Sequence, residues 1–347
     1  MRLVFAADLH LRPYIWNSRK DISYDHFRAW GLLVNHVIRT PGTVLVLGGD
    51  IFDTTTPSGL TEYVFHKGMT ALKEKGHRVF FIPGNHDDEA YPRPLLFGAE
   101  ALTPEPITLD GITIAGIPFT RDTEALQQTL VDIPVVDGLF MHTAFRHLLG
   151  FEEAYQCTMD DVPEHVGHVF VGHIHVANSK GKVHSPGALA VNNVAEFQQQ
   201  HGYALWDTER NYVALKALPG RLFVTTSAES LEDTLNKAVA NSIEGKQLPV
   251  VNVVYSKEDT PLVEGLKEKF QNKVLFLDNM RNVEQATRLD APGATADLDL
   301  DSVIHAGLQE LLGTNPAALQ LATQLLSSQT PVDEMERWLR DHIKKET

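Results

Sequence analysis

The chain has 347 residues, 43% hydrophobic and 8% aromatic, an ordinary globular composition with length enough for more than one domain. A formal net charge of −15 argues against a nucleic-acid grip spread over the whole surface, but it leaves room for a local basic groove or a site that holds phosphate through metal ions. The one cysteine, Cys157, excludes a disulfide framework and any thiolate zinc cluster.

In chain order, short apolar runs end in polar residues, with helical stretches between the early ones. "RLVFAADLH" ends in Asp8 and His10. "YDHFRAWGLLVNHVI" reads as an amphipathic helix. "VLVLGGDIFD" delivers Asp50 and Asp53, and "LTEYVFHKGMTALKEKG" is a second helix. "RVFFIPGNHD" delivers Asn85, His86 and Asp87. "ITLDGITIAGI" carries an Asp-Gly turn and reads as a hairpin. "GLFMHTAF" carries His142, and "HVFVGHIH" carries His173 and His175, which a strand would point to one face. "GYALWDTERNYVALKAL" is a second hairpin, turning at Asp207 to Arg210. Strands alternating with helices predict an α/β layered domain over 1–220 whose central strands are buried on both faces. The hairpins make part of the sheet antiparallel.

The pattern changes after Gly220. "RLFVTTS", "AESLEDTLNKAVANSI", "LPVVNVVYS", "TPLVEGLKEKF" and "KVLFLDNM" spell β-α-β-α-β, a small second domain over 221–287. Thr260 is the expected N-cap of its second helix, with Pro261 at the first helical position. "DAPGATADLD" marks an acidic linker, placed over 288–298. Helices follow over 299–347. Leu300, Ile304, Leu308 and Leu311 form one apolar stripe, and Val332, Met335, Leu339 and His342 align on another. These stripes pack on the protein's own domains or dock a partner. No run approaches the ~18 apolar residues of a membrane span. The early acid in the first ten residues does not fit a signal peptide. The expectation is a cytoplasmic protein with no membrane partner.

In open α/β sheets ligands gather at the carboxyl ends of strands. Here that edge would collect carboxylates, an amide and imidazoles. Each piece alone has a bland reading: a turn, a satisfied histidine or a loop end. Together they are too many ligands for one ion and enough for two. Mixed oxygen and nitrogen donors suit Mn²⁺, Fe²⁺ or Zn²⁺, while Mg²⁺ also remains open.

The order D-x-H, G-D-x-x-D, G-N-H-D, H and G-H-x-H resembles the calcineurin-like metallophosphoesterases. "DLHL" and "GGDIFD" are similar to SbcD-type nucleases, the small subunit of a double-strand-break repair complex. Length, small α/β unit and terminal helices resemble the recombination endonuclease subunit of large phages. The resemblance implies a layered αββα domain with mixed sheets, plus a capping, DNA-binding α/β domain and C-terminal helices. It implies that Asp8, His10, Asp50 and His175 hold one ion, and that Asp50, Asn85, His142 and His173 hold the other. His86 would act over the scissile phosphate, with Asp87 orienting it and Asp53 close by. Two divalent ions about 3.5–4 Å apart can clamp a phosphodiester for in-line displacement. An imidazole is suited to protonate the leaving oxygen.

The implied activity is a manganese-dependent 3′-to-5′ exonuclease on duplex ends and an endonuclease on single strands or hairpins. Implied partners are DNA, an SbcC-like coiled-coil ATPase docked on the terminal helices, and a second copy of the chain through the helix in 60–76. Arg12, Lys20 and Arg146 are candidate DNA contacts. Protein phosphatases of this superfamily continue their second and third motifs with phosphate-gripping arginines. Here "TTTPSG" and "DEAYPRP" follow, and Arg93 is out of register, which favours a phosphodiester substrate. A small cyclic or linear phosphodiester is the second reading, and a dead scaffold on the same fold the third.

Overall fold

The structure, a computed structural model, describes residues 1–280 except 17, 88–92, 147, 149–155 and 242–246. The expected linker and both C-terminal stripes therefore lie outside the described residues. The first layer holds β1 (Arg2–Ala6), α1 (Asp25–Ile38), β2 (Thr43–Leu47), α2 (Gly59–Glu74), β3 (Val79–Phe81), α3 (Arg93–Leu96) and β4 (Glu100–Ala101). The second holds β5 (Ile107–Leu109), β6 (Ile112–Ile117), α4 (Thr123–Asp132), β7 (Val136–His142), β8 (Val166–Gly172), β9 (Ala177–Lys180) and β10 (Val183–Pro186). The chain then returns to the first sheet as β11 (Gly202–Asp207) and β12 (Tyr212–Ala217).

Both sheets have six strands, in the orders β12-β11-β1-β2-β3-β4 and β5-β6-β7-β8-β10-β9. The centres are parallel, the two expected hairpins supply antiparallel edges at β5 and at β11–β12, and a hairpin the sequence did not mark, β9–β10, supplies the other edge of the second sheet. Asp110 and Gly111 take the positive φ that the tight β5–β6 turn requires.

Residue alternation makes the sandwich. On β1, Leu3 and Phe5 face the second sheet, while Val4 and Ala6 face α1 and α2. On β2, Val44 and Val46 face inward, and Leu45 and Leu47 face the helices. On β8, Phe170 points inward while Val169 and Val171 pack toward α4. Phe5, Phe140 and Phe170 meet with ring centroids 4.9–5.7 Å apart. Truncating such a buried ring to alanine costs about 3–5 kcal/mol. These strands read as unbroken apolar runs because both of their faces are covered.

Helices α1 and α2 pack closely over the first sheet. A Cβ on Gly68 would lie 2.3 Å from the Trp30 ring, so glycine in mid-helix is required by the approach of the helices. The third sheet is parallel, β13 (Phe223–Ser227), β14 (Val250–Tyr255) and β15 (Leu275–Met280), with α5 (Leu231–Asn241) and α6 (Thr260–Phe270) as crossovers. The β-α-β-α-β order is as read from the sequence. Helix α6 differs in one detail: Asp259 is its N-cap and Thr260 its first residue, because Asp259 already caps the preceding turn through Ser256. Ile15, Ile22, Val191 and Phe197 pack against Phe223 and Val250, and buried Arg221 pairs with Asp25 at 3.0 Å. Among the described residues no helix is long and apolar enough to cross a membrane.

Candidate metal centre

The carboxyl ends of β1, β2, β7 and β8, with the loop after β3, meet at one edge. Four non-glycine residues there hold left-handed backbone: Asp8 (φ 51°), His10 (φ 40°), Asp50 (φ 51°) and His173 (φ 81°). Such conformations are strained for L residues and persist where the surroundings over-determine them. Backbone bonds supply part of that. The Asp8 N–H donates to the Gly49 carbonyl at 3.1 Å, and the His10 N–H to the Asp50 carbonyl at 2.9 Å.

Ligand atoms of Asp8, His10 and His175 lie within 4.8 Å of one another, as do those of Asp50, His142 and His173. A third such group, His10, Asp50 and His86, joins them. Asn85 completes the second set, its Oδ1 2.8 Å from His173 Nδ1 and 3.2 Å from His142 Nε2. Asp50 sits between the sets, 3.4 Å from His142 Nε2 and 3.8 Å from His10 Nε2. All seven residues expected to bind metal are thus brought together.

The tautomers point the right atoms inward. His142 Nδ1–H donates to the Gly48 carbonyl at 2.7 Å, leaving Nε2 for the centre. His175 Nδ1 meets Glu196 Oε1 at 2.7 Å, which leaves its Nε2 3.2 Å from His10 Nε2. Two ring nitrogens at that distance share either one proton or a cation. The carboxylates call for a cation. Asp8 is 0% and Asp50 2% exposed, and neither has a Lys or Arg partner among the described residues. The donor set therefore fits divalent metal ions.

Burial pushes the Asp8 carboxyl up to about 6. Burial also raises Asp50, but the His142 hydrogen bond with the charges of His142 and His10 outweighs it and holds Asp50 well below the carboxylate range. His142 moves up to about 9: burial lowers it, and the bond to Asp50 prevails. A divalent ion would supply the positive charge that a proton on His142 otherwise brings. Burial pulls His10 well below its usual value and His173 down to about 4, keeping both as neutral donors.

Two expectations change. Asp87 does not orient His86. Its carboxylate accepts the backbone N–H groups of Asp50 (2.8 Å), Gly84 (2.9 Å) and Ile51 (3.2 Å), tying the two motif loops together. His86 is oriented by the Asp53 carbonyl, 2.8 Å from its Nδ1, and its own N–H donates to Asp50 Oδ1. The two histidines of "GHIH" are also not neighbours on a strand. β8 ends at Gly172, and the left-handed turn at His173 sends that ring to Asn85 and leaves His175 facing His10.

Arg12 is committed to Asp53 (2.6 Å) and Asn192, so it braces the site rather than reaching outward. Lys20 and Arg146 are exposed. Arg93 is taken by Glu62 and the Thr55 carbonyl. Buried Cys157, its thiol pushed up to about 12 by burial, takes no part. Glu196 was missed. It lies on a short turn after the last motif, with no apolar run to mark it. Its Oε2 also accepts the Asn192 N–H and its Oε1 the Asn193 amide.

A sandwich of two mixed sheets with carboxylates, an amide and imidazoles gathered at one edge defines a metallophosphoesterase. The family model for calcineurin-like phosphoesterase matches residues 1–205, and the chain belongs to that family. It is 27% identical over 191 residues to the DNA double-strand break repair protein Mre11 of Sulfurisphaera tokodaii, covering 50% of this chain and 49% of that one. It is 38% identical over 124 residues to the SbcD component of the SbcCD nuclease of Bacillus subtilis, covering 35% and 29% respectively. The chain thus spans about half the length of the first of these relatives and less of the second.

Proposed function

We propose that the chain is a metal-dependent DNA nuclease subunit, acting in double-strand-break processing with an SbcC-like ATPase. The observation that carries this is the gathering of Asp8, His10, Asp50, Asn85, His142, His173 and His175 around two gaps that share Asp50. The relatives named for break repair and for the SbcCD nuclease support the choice of DNA.

In this reading Asp8, His10, Asp50 and His175 hold one ion, and Asp50, Asn85, His142 and His173 the other, with Mn²⁺ the preferred metal. Bound ions of this kind supply Lewis-acid polarisation of a phosphodiester and draw the pKa of water toward neutrality. The chain's own residues do the rest. Glu196 fixes the tautomer of His175, and the Gly48 carbonyl that of His142. His86, with Nδ1–H held by the Asp53 carbonyl, turns Nε2 to the centre, and as an imidazolium it would give the Nε2 proton to the leaving oxygen and keep the Nδ1 proton. Asp87 and Asp53 act by positioning: Asp87 clamps the loops, and Asp53 holds Arg12 while its carbonyl orients His86.

Exonuclease action on duplex ends from 3′ to 5′, endonuclease action on single strands or hairpins, ATPase docking on 299–347 and dimerisation through α2 belong to the same proposal. The outer face of α2 exposes Leu60 and Tyr63, which suits a helical contact. The test is degradation of linear duplex DNA with Mn²⁺, beside a small diester such as bis(p-nitrophenyl) phosphate. Cleavage of both is expected. Brisk turnover of the small diester with intact DNA would overturn the nuclease reading in favour of a small phosphodiester substrate.

A further inference from the structure

Helix α1 starts against the usual rules. Its N-cap is Tyr24, which makes no side-chain cap bond and holds φ 64°, ψ 14°. The usual cap is Ser, Thr, Asp or Asn in extended backbone, whose side chain satisfies an end N–H for about 1 kcal/mol. A left-handed tyrosine costs about 1–3 kcal/mol more. Burial does not repay this, because Tyr24 is 48% exposed. Residues that break local rules without a stabilising return are candidates for function.

The Tyr24 ring sits in a ladder. It stacks on Phe27 at 5.9 Å and 28°, and Tyr14 lies beside it at 6.2 Å and 40°. The ladder is anchored. The Tyr24 N–H donates to the Pro13 carbonyl at 2.7 Å, Tyr14 bridges to Ser23, and Ile15 and Ile22 are buried in the cluster beneath the third sheet. It lies close to the metal centre. Tyr14 follows His10 within about 14 Å, the reach of four extended residues. Arg12, between them, is bonded to Asp53. Exposed Lys20, in the same loop between Tyr14 and Tyr24, makes no ion pair among the described residues, whereas Arg28 lines the cavity that holds the Asp25–Arg221 pair.

We propose that Tyr14, Tyr24 and Phe27 form a stacking platform for an unpaired nucleobase of the strand entering the centre, with exposed Lys20 of the same loop meeting its phosphates. This rests on the nuclease reading and adds where a single strand is held. Every base has a π-face, so the platform is tolerant of sequence.

The test measures binding of a labelled oligothymidylate to wild type and to Tyr24→Ser, Tyr24→Ala and Tyr24→Phe, with bis(p-nitrophenyl) phosphate turnover checking the metal centre separately. Stacking of one base predicts that Tyr24→Ser and Tyr24→Ala weaken oligonucleotide binding about 5- to 100-fold, while Tyr24→Phe stays within about twofold of wild type. Diester turnover unchanged in Tyr24→Ser and Tyr24→Ala shows that the fold and the metal centre are intact. Oligonucleotide affinity unchanged in Tyr24→Ser overturns the platform and leaves the nuclease reading standing. A wild type that hydrolyses the small diester but neither binds nor cuts the oligonucleotide overturns both.

Discussion

Replacing Glu196 by Gln exchanges one carboxylate oxygen for an amide, and the structure shows what that removes. Oε1 accepts from His175 Nδ1 and from the Asn193 amide, each at 2.7 Å, and Oε2 accepts the Asn192 N–H at 2.7 Å. Burial raises the Glu196 carboxyl, but the bond from His175 and its charge outweigh burial and hold it below its usual range. It is therefore ionised at neutral pH. A glutamine carbonyl can serve either His175 and Asn193 or the Asn192 N–H, never all three. The unserved donor costs about 1–3 kcal/mol of stability. If the carbonyl keeps His175, the imidazole loses a charged acceptor and becomes a weaker ligand. Loss of such a partner typically costs 10- to 100-fold in metal affinity, about 1.4–2.7 kcal/mol. Calorimetric titration of metal-free protein with Mn²⁺ should show the weakening chiefly at the ion served by His175. Glu196→Ala, with no acceptor at all, should fall at the 100-fold end. Wild-type affinity at both positions in Glu196→Gln would refute the assigned role.

His86→Ser should retain both ions and lose about 10²-fold or more in phosphodiester cleavage; near-normal single-turnover rates would remove His86 from proton transfer. Gly84→Ala would place a Cβ 2.2 Å from Asp50 Oδ1 and 2.4 Å from Asp50 N. It should cost about 1–3 kcal/mol in thermal unfolding and weaken Mn²⁺ binding more than tenfold, whereas a tolerated alanine would mean that the motif loops can part. His184 is pulled down to about 4 by burial and then by the nearby His168 charge. Its folded-state value is depressed, so the neutral ring's contribution is complete above the unfolded value near 6.5. That contribution is lost as pH falls from there toward 4. It amounts to roughly 1–3 kcal/mol, and the melting temperature of His184→Gln should fall less steeply than wild type across that window. Parallel curves would contradict the assignment.

The layered sheets and the polar residues gathered at their edge were legible for one physical reason. Strands buried on both faces appear as continuous apolar runs, and their ends stand out where the first Asp, Asn or His interrupts them. The hairpins were legible from Asp110-Gly111, where the turn needs positive φ. What remained hidden depends on direction rather than residue type. Asp87 looks like a partner for its neighbour His86, yet it turns to three backbone N–H groups. His173 and His175 look like same-face strand residues, yet one left-handed residue sends them apart. Arg12 looks like a free cation until Asp53 occupies it. Glu196 reaches His175 across 21 residues from a segment with no periodicity.

The central claim is a pair of ions sharing Asp50. Anomalous diffraction from crystals soaked in Mn²⁺ tests it directly, with Asp50→Ala beside wild type. Two peaks are expected in wild type, one among Asp8, His10, Asp50 and His175, the other among Asp50, Asn85, His142 and His173. Asp50→Ala should lose both. A single peak in wild type, or two that persist in Asp50→Ala, would contradict the shared centre.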